Sequence, residues 1–205
     1  MNNLKDHKDN NNKKSQEKKE NMALLHTPEK QNNFKAPDFI LQNTDTHIVK
    51  LDDCIGDNGL LVMFICNHCP YVLAIIDRLV ETCNHLQENN IGCVAIMSND
   101  TEQYPEDSFE NMQKFAKTHK FTFPYVIDET QETAKSYNAI CTPDFFCFDN
   151  NKILQYRGRL DSASNKPTDK NTVPELLNAM LQIKNKSAAP DQQSPSMGCS
   201  IKWKG

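Results

Sequence analysis

The sequence predicts an α/β domain in which helices cover both faces of a mixed central sheet. Two continuous apolar runs, at 60–66 and 91–97, are typical of strands that are buried on both faces. Apolar residues between and after these runs recur every three or four positions, which indicates amphipathic helices. Near the end of the domain, the segments 144–149 and 153–158 are separated by Asn150-Asn151-Lys152, a composition that predicts a hairpin. Strands that first alternate with helices and then form a hairpin indicate a sheet of mixed direction.

Two polar tails bound the domain, which we expect to span residues 36–186. Residues 1–35 are of low complexity and rich in polar side chains, so we expect a disordered tail there. From Ser187 onward the chain is again polar and rich in proline. This C-terminal tail, residues 187–205, contains a Gly-Cys-Ser segment around Cys199.

In the first half of the domain, short apolar stretches at 38–41 and 47–51 predict an N-terminal hairpin ahead of the first buried strand. One helix is predicted directly after that strand, with Pro70 near its first turn, where a missing N–H costs little. The apolar stripe of this helix consists of Val72, Ile75, Ile76, Leu79, Cys83 and Leu86.

In the second half, Asp107-x-x-Glu110 resembles a capping box and predicts the start of another helix. A third strand is predicted at 123–128, followed by a short helix near 130–137. The last helix follows the hairpin, and its apolar stripe consists of Leu176, Leu177, Met180 and Ile183.

Composition limits the class of protein. The formal net charge of −4 and the pI near 5.9 argue against a surface that holds nucleic acid or an anionic membrane. The first 22 residues lack the apolar region of a secretory signal, and no apolar run approaches the ~18 residues of a membrane span. We therefore expect a cytoplasmic protein. Its eight cysteines are too irregularly spaced for a disulfide scaffold, so most should be free thiols.

Two cysteines stand close together in FICNHCPYV, residues 64–72, where the first buried strand turns into a helix. Backbone N–H groups and the helix dipole favour negative charge at such a position, so we expect a lowered pKa at Cys66. Cys69 lies about one turn further along and is placed to form a disulfide with Cys66. His68, between them, would add positive charge and stabilise the thiolate. The pattern predicts a redox pair.

Two other interpretations of the pair stay open. A zinc site would need two further ligands, which would have to come from His68, Cys141 or Cys199, and no second C-x-x-C is present. Alternatively, Cys66 and Cys69 are two inert thiols that happen to lie close together.

Five stretches of the chain carry a resemblance to known proteins: FICNHCPYV, SNDTEQYPEDSFENM, PYVIDETQETAKSYNAICTPDFFCFD, YRGRLD and GCSIKWK. Through them, residues 36–205 resemble the thioredoxin superfamily, and more narrowly a peroxiredoxin-like branch of the AhpC/TSA type. The resemblance implies a thioredoxin-like fold with an N-terminal β extension and thiol–disulfide chemistry at the C-x-x-C. It also implies a cis peptide bond at Thr142-Pro143 that faces the pair.

The resemblance implies roles for the cysteines in two ways. By similarity to thioredoxins, Cys66 attacks the substrate and Cys69 resolves the mixed disulfide. By similarity to peroxiredoxins, Cys69 is instead the peroxidatic cysteine, but Cys66 and Val62 occupy the positions where that family has its Thr and Pro. A peroxidatic arginine would have to be Arg157 or Arg159, for each of which a surface arginine is the alternative interpretation.

The chain also departs from thioredoxins. Leu60 occupies the position of their buried acid, and Ile65 that of the Trp before the first cysteine. No proton carrier for the resolving thiol is therefore evident, which leaves His68 as the candidate to replace it.

Cys199 is a second candidate for the resolving thiol. It would reach the pair after a linker of about ten residues. The alternative is a free thiol on an ordered tail, with Ile201 and Trp203 packed on the domain. Cys141, two residues before Pro143, is also expected to face the site.

The leading hypothesis is a thiol–disulfide oxidoreductase that acts on protein or small-molecule disulfides and receives electrons from a thiol such as thioredoxin or glutathione. The first alternative is a thiol peroxidase in which Cys69 is resolved by Cys66 or Cys199. The second is a module that binds copper or zinc through Cys66, His68 and Cys69. A scaffold that only binds other proteins is the remaining possibility. The redox hypotheses need no cofactor and no resident metal.

Overall fold

A seven-stranded sheet forms the centre of the protein in a computed structural model that describes residues 23–186 and 188–205. In spatial order its strands are β3 (Ile48–Lys50), β2 (Ile40–Asn43), β6 (Tyr125–Ile127), β5 (Gly92–Met97), β4 (Leu60–Phe64), β8 (Asp144–Phe148) and β9 (Leu154–Tyr156). β4, β5 and β6 are parallel to one another, whereas the other neighbours pair antiparallel. The predicted mixed sheet, the N-terminal hairpin β2–β3 and the later hairpin β8–β9 are confirmed.

Helices lie on both faces of this sheet, as predicted. In chain order they are α1 (Leu51–Cys54), α2 (Pro70–Leu73), α3 (Ile76–Glu88), α4 (Phe109–Thr118), α5 (Glu132–Ser136) and α6 (Glu175–Lys186). None of the helices in the described part of the chain combines the length and the apolar character that a membrane crossing requires.

The central strand β4 is buried on both faces, which is why its sequence is continuously apolar. Leu61 and Met63 contribute to one core cluster, together with residues of α3, α4 and α6. Leu60, Val62 and Phe64 contribute to a second cluster on the other face, together with residues of α1 and α5. All five side chains are at most 1% exposed. Packing on both faces fixes the position of β4. The segment that follows it, Ile65 to Cys69, therefore begins at a fixed position.

The single helix predicted after β4 is divided into α2 and α3. At the break, the N–H of Ile75 donates to the carbonyl of Val72 at 3.1 Å, so the spacing is three residues instead of the four of an α-helix. α2 is consequently a single turn, and Cys69 is the residue directly before it.

The capping-box prediction for Asp107 is wrong. α4 begins two residues later, and its N-cap is Ser108, whose side chain accepts a hydrogen bond from the N–H of Asn111 at 3.4 Å. Asp107 lies in the preceding 3₁₀ turn, Pro105–Asp107, and its side chain is fully buried.

A second, three-stranded sheet is built from both ends of the described chain. Its order is β1 (Leu24–His26), β10 (Met197–Ser200) and β7 (Cys141–Thr142), with antiparallel pairing throughout. The expectation of a disordered tail over 1–35 is therefore wrong for 23–35, because the pairing with β10 satisfies the backbone of β1. Residues 1–22 lie outside the described residues. The C-terminal tail likewise contributes a strand, β10, to this sheet.

β10 packs so closely on β7 that it requires a glycine. A Cβ atom at Gly198 would lie 2.0 Å from the carbonyl oxygen of Thr142. Because that oxygen belongs to backbone, it cannot rotate away as a flexible side chain would.

We expect Gly198→Ala to lower the free energy of unfolding by about 1–3 kcal/mol, the usual cost of overpacking, and to speed amide hydrogen exchange at Cys199 and Ser200. Urea denaturation and exchange measurements would check both effects. Gly205→Ala is the matched control, since nothing lies within 4 Å of a Cβ there. Equal stability of the two variants would contradict the close packing of β10 on β7.

Candidate active site

Cys66 and Cys69 lie where β4 ends and α2 begins, and both are buried, with exposed fractions of 1% and 0%. Both cysteines face Thr142, the residue before the cis proline. The Cys66 Sγ lies 3.4 Å from the Thr142 Oγ1, and the Cys69 Sγ lies 3.1 Å from the Thr142 carbonyl oxygen. The Thr142-Pro143 peptide bond is cis, as expected. The structure thus brings together the C-x-x-C and the cis proline.

Cys199 is the third sulfur at this site. Its position in β10 is paired with Thr142 of β7, and its side chain contacts that of Cys69. It is 3% exposed. Of the two interpretations of the tail, the structure shows an ordered strand that also places its cysteine at the pair. Ile201 is buried against the domain, whereas Trp203 is 40% exposed.

The two cysteines of the pair differ in proton affinity. The pKa of Cys69 is lowered, because the Cys199 and Cys66 thiols face its sulfur and backbone groups of Cys199 and Val72 add to the effect. These interactions outweigh burial, which by itself would raise the pKa of Cys69. The pKa of Cys66 is raised, chiefly by burial and then by the contact with Cys69 and the charge of Asp107.

The expectation of a lowered pKa at Cys66 is therefore wrong: its pKa is raised, and the lowered pKa is that of Cys69. Sequence position alone suggested that the first cysteine lies at the helix start. In the structure α2 begins after Cys69, so that Cys69 is the cysteine next to the free N–H groups of the helix.

Asp107 is the site residue that the sequence analysis missed. Its Oδ1 accepts a hydrogen bond from the N–H of Asn67 at 2.8 Å, and its Oδ2 accepts one from the Nδ2 of Asn99 at 2.7 Å. The same Oδ2 lies 2.8 Å from the Nδ1 of His68. The fully buried carboxylate thus accepts two hydrogen bonds and lies at ion-pair distance from the His68 imidazole. The only signal in the sequence was an acidic residue in SNDTEQYPEDSFENM, which local pattern assigned to a helix cap.

The imidazole of His68 forms an ion pair with the carboxylate of Asp107. The pKa of His68 is raised, mainly by the hydrogen bond to Asp107. The imidazole also stacks on the ring of Tyr104, with centroids 5.8 Å apart and planes 6° from parallel. The expected role of His68, stabilising a thiolate at Cys66, is replaced in this geometry by an ion pair with Asp107.

Neither candidate peroxidatic arginine is free. The Nη2 of Arg157 lies 2.8 Å from the Oδ2 of Asp144, and its guanidinium lies 4.3 Å from the centroid of the Phe146 ring. Arg157 is 3% exposed, so the surface interpretation is wrong for this residue. Arg159 forms two hydrogen bonds of 2.7 Å with Glu175. Both guanidinium groups are thus engaged by carboxylates.

Cys141 is buried in β7, and its Sγ lies 3.7 Å from the carbonyl oxygen of Pro143. Its pKa is raised, first by burial and then by the charge of Asp144. A thiol that holds its proton so firmly is a poor nucleophile.

One group of metal-ligand types occurs among the described residues. Single ligand atoms of Cys66, His68 and Asp107 lie within 4.8 Å of one another. This set contains Asp107 in place of the expected Cys69. A metal ion here would compete with the ion pair between His68 and Asp107.

We expect the imidazole pKa of His68 to lie above the ordinary value of 6.5 and to fall in Asp107→Asn, because the variant loses the charge that favours the imidazolium. Nuclear magnetic resonance titration of the histidine ring would measure this. Since the folded pKa is raised, the ion pair stabilises the fold below the unfolded pKa, and this stabilisation is lost as the pH rises through the folded pKa. An unchanged His68 titration in Asp107→Asn would contradict the pairing.

Two solved structures are similar to nearly the whole chain. An uncharacterized conserved protein from Geobacillus kaustophilus is 42% identical, with a TM-score of 0.83, and the match covers 89% of this chain and 97% of that one. A hypothetical protein from Sinorhizobium meliloti is 32% identical, also with a TM-score of 0.83, covering 88% and 98%. No curated protein matches the chain.

A more distant structure shows the fold. The thioredoxin domain of a thiol-disulfide oxidoreductase from Bacteroides vulgatus has a TM-score of 0.53 at 16% identity, and the match covers 62% of this chain and 88% of that one. The predicted thioredoxin-like fold is confirmed by this likeness and by the mixed sheet. The model of the AhpC/TSA family matches residues 33–157, more than half of the sequence. This chain therefore belongs to the AhpC/TSA family.

Proposed function

We propose that this protein is a thiol–disulfide oxidoreductase in which Cys69 and Cys66 form the redox pair. Its family and fold support thiol-dependent redox chemistry, either disulfide exchange or peroxide reduction. One observation carries the choice of disulfide exchange. Beside the cis proline, a thiol with a lowered pKa contacts a thiol with a raised pKa. In this proposal Cys69 is the attacking thiolate, and Cys66 is the resolving thiol.

In the first step, the Cys69 thiolate attacks one sulfur of a substrate disulfide. A bond forms between the Cys69 Sγ and that sulfur, the substrate S–S bond breaks, and the other substrate sulfur leaves as a thiolate. This assignment exchanges the roles that similarity to thioredoxins implies, because burial, the contact with Cys69 and the charge of Asp107 raise the pKa of Cys66.

In the second step, Cys66 loses its proton and attacks the Cys69 sulfur. The Cys66–Cys69 disulfide forms, and the second substrate sulfur leaves as a thiolate. The two substrate thiolates take up protons, including the one released by Cys66, so the substrate is reduced by two electrons and the pair is oxidised. A thiol reductant of the thioredoxin or glutathione class would return the pair to the dithiol in a reducing cytoplasm.

The substrate class in this proposal is a protein or small-molecule disulfide. A small cavity lined by Tyr71, Ile75, Pro143 and Met197, among others, lies beside the cis proline. Since Cys66 and Cys69 are almost fully buried, access from this side requires movement of the strand that carries Met197.

We expect Cys69→Ser to lose essentially all turnover in an insulin-reduction assay, because the attacking sulfur is gone. Cys66→Ser should also lose turnover but should still form a mixed disulfide with substrate at Cys69. Trapping of that adduct, seen as a mass increase at Cys69, would check the order of attack.

Cys54→Ser is the matched control for this assay. Cys54 is also a buried cysteine, but it lies in the core cluster on the other face of the sheet. Its replacement should leave turnover unchanged. Full turnover of Cys69→Ser, or an adduct on Cys66 in that variant, would contradict the assignment.

A thiol peroxidase is the second candidate, favoured by the lowered pKa of Cys69, the position of the peroxidatic cysteine in the resemblance. The Cys69 thiolate would attack a peroxide oxygen, giving a sulfenic acid and releasing hydroxide or alkoxide, and Cys66 would then form the disulfide and release water. An arginine could assist this reaction by polarising the peroxide. Both candidates, Arg157 and Arg159, are instead paired with carboxylates.

We therefore expect hydrogen peroxide to oxidise Cys69 no faster than it oxidises an ordinary thiolate. Stopped-flow measurement of oxidation, with Cys69→Ser as the blank, would test this. Rapid peroxide consumption that depends on Cys69 would instead make peroxide reduction the leading function.

A further inference from the structure

The position of Cys199 is defined on both sides by contacts with the domain. Before it, the N–H of Ser196 donates to the Oγ1 of Thr27, and the Oγ of Ser196 donates to the carbonyl of Pro143, both at 2.9 Å. After it, the N–H of Lys202 donates to the Oδ1 of Asn99 at 2.9 Å. The strand that carries Cys199 is therefore held in place by the fold.

The register of this strand directs Cys199 to Cys69. Cys199 is paired with Thr142, and the carbonyl oxygen of the same Thr142 lies 3.1 Å from the Cys69 Sγ. At the neighbouring position only a glycine, Gly198, fits against that carbonyl. Two sulfurs, those of Cys66 and Cys199, consequently contact the Cys69 sulfur from different elements.

We propose that Cys199 is a second disulfide partner of Cys69, and that oxidation of this pair fastens β10 covalently over the C-x-x-C. The proposal deepens the proposed function and rests on it, since it requires a reactive Cys69. In the reduced protein β10 is held by hydrogen bonds and packing alone, whereas in this oxidised form it cannot leave the site.

The reaction uses the same oxidant as the proposed function, a substrate disulfide. After the Cys69 thiolate has formed a mixed disulfide and released one substrate thiolate, Cys199 loses its proton to that thiolate. The Cys199 sulfur then attacks the Cys69 sulfur, the Cys69–Cys199 bond forms, and the second substrate sulfur leaves as a thiolate that takes a proton from water.

Cys66 can then move the disulfide. Its deprotonated sulfur attacks Cys69 in the Cys69–Cys199 bond, forms the Cys66–Cys69 disulfide and releases Cys199 as a thiolate, which takes up the proton that Cys66 lost. No electrons are gained or lost in this exchange. The two disulfides are thus isomers of one oxidised state: in one β10 is covalently bound to Cys69, and in the other it is held by hydrogen bonds and packing alone.

The test begins with reduced Cys66→Ser treated with one equivalent of oxidised glutathione. Remaining thiols are alkylated in acid and the disulfides are located by peptide mass mapping. We expect a Cys69–Cys199 link. Cys66→Ser/Cys199→Ser should stop at a glutathione adduct on Cys69. Cys66→Ser/Cys141→Ser should keep the link, because Cys141 is the other cysteine near the site and has no role in the reaction.

A stable glutathione adduct on Cys69 beside a free Cys199 in Cys66→Ser would overturn the proposal while leaving the proposed function in place. An unmodified Cys69 would overturn both. If Cys66→Ser does not fold, the wild-type protein is oxidised with half an equivalent and mapped at once. A Cys69–Cys199 fraction at the earliest time points that is absent in Cys199→Ser then supports the proposal, and a glutathione adduct on Cys69 that passes to Cys66–Cys69 without any Cys69–Cys199 fraction at those times rejects it.

Discussion

A charged sulfur inside a protein is stable only where donors replace the water it has lost, and the candidate site depends on this constraint. Cys69 is fully buried, yet its pKa is lowered, because the thiols of Cys66 and Cys199 and nearby backbone groups face it. These donors come from the segment after β4, from the start of α2 and from β10. The lowered pKa of Cys69 therefore requires the correct packing of three parts of the chain, the last of which is β10.

The same low-polarity environment gives the two cysteines of the pair different pKa values. Without comparable donors, burial raises the pKa of Cys66, and the carboxylate of Asp107 raises it further. The carboxylate of Asp107 in turn accepts hydrogen bonds from the N–H of Asn67 and the amide of Asn99, and it pairs with the imidazole of His68. The site thus combines a buried ion pair with two thiols whose pKa values are shifted in opposite directions.

Local pattern determined much of the fold. The continuous apolar run of β4, the spacing of apolar residues on α3 and the turn at Asn150-Asn151-Lys152 correctly predicted a mixed sheet with helices on both faces. The C-x-x-C and Thr142-Pro143 were also found from their residues and their resemblance to a known family. Side-chain periodicity and turn chemistry are local properties, so the sequence carries them directly. For the same reason, local pattern was misleading where a distant partner intervened: it assigned Asp107 to a helix cap.

The tertiary structure alone decided which of the two cysteines has the lowered pKa and what surrounds it. Proton affinity depends on burial and on groups far apart in sequence, such as Asp107 and Cys199, whose distances from the pair cannot be read from composition or spacing. The ordering of 23–35 and of the C-terminal tail is of the same kind. Each of these polar segments is a poor candidate for structure by itself, but β1 and β10 satisfy each other's backbone hydrogen bonds. The sequence by itself thus determined the fold and singled out the cysteine pair, whereas long-range packing decided the proton affinity of each sulfur.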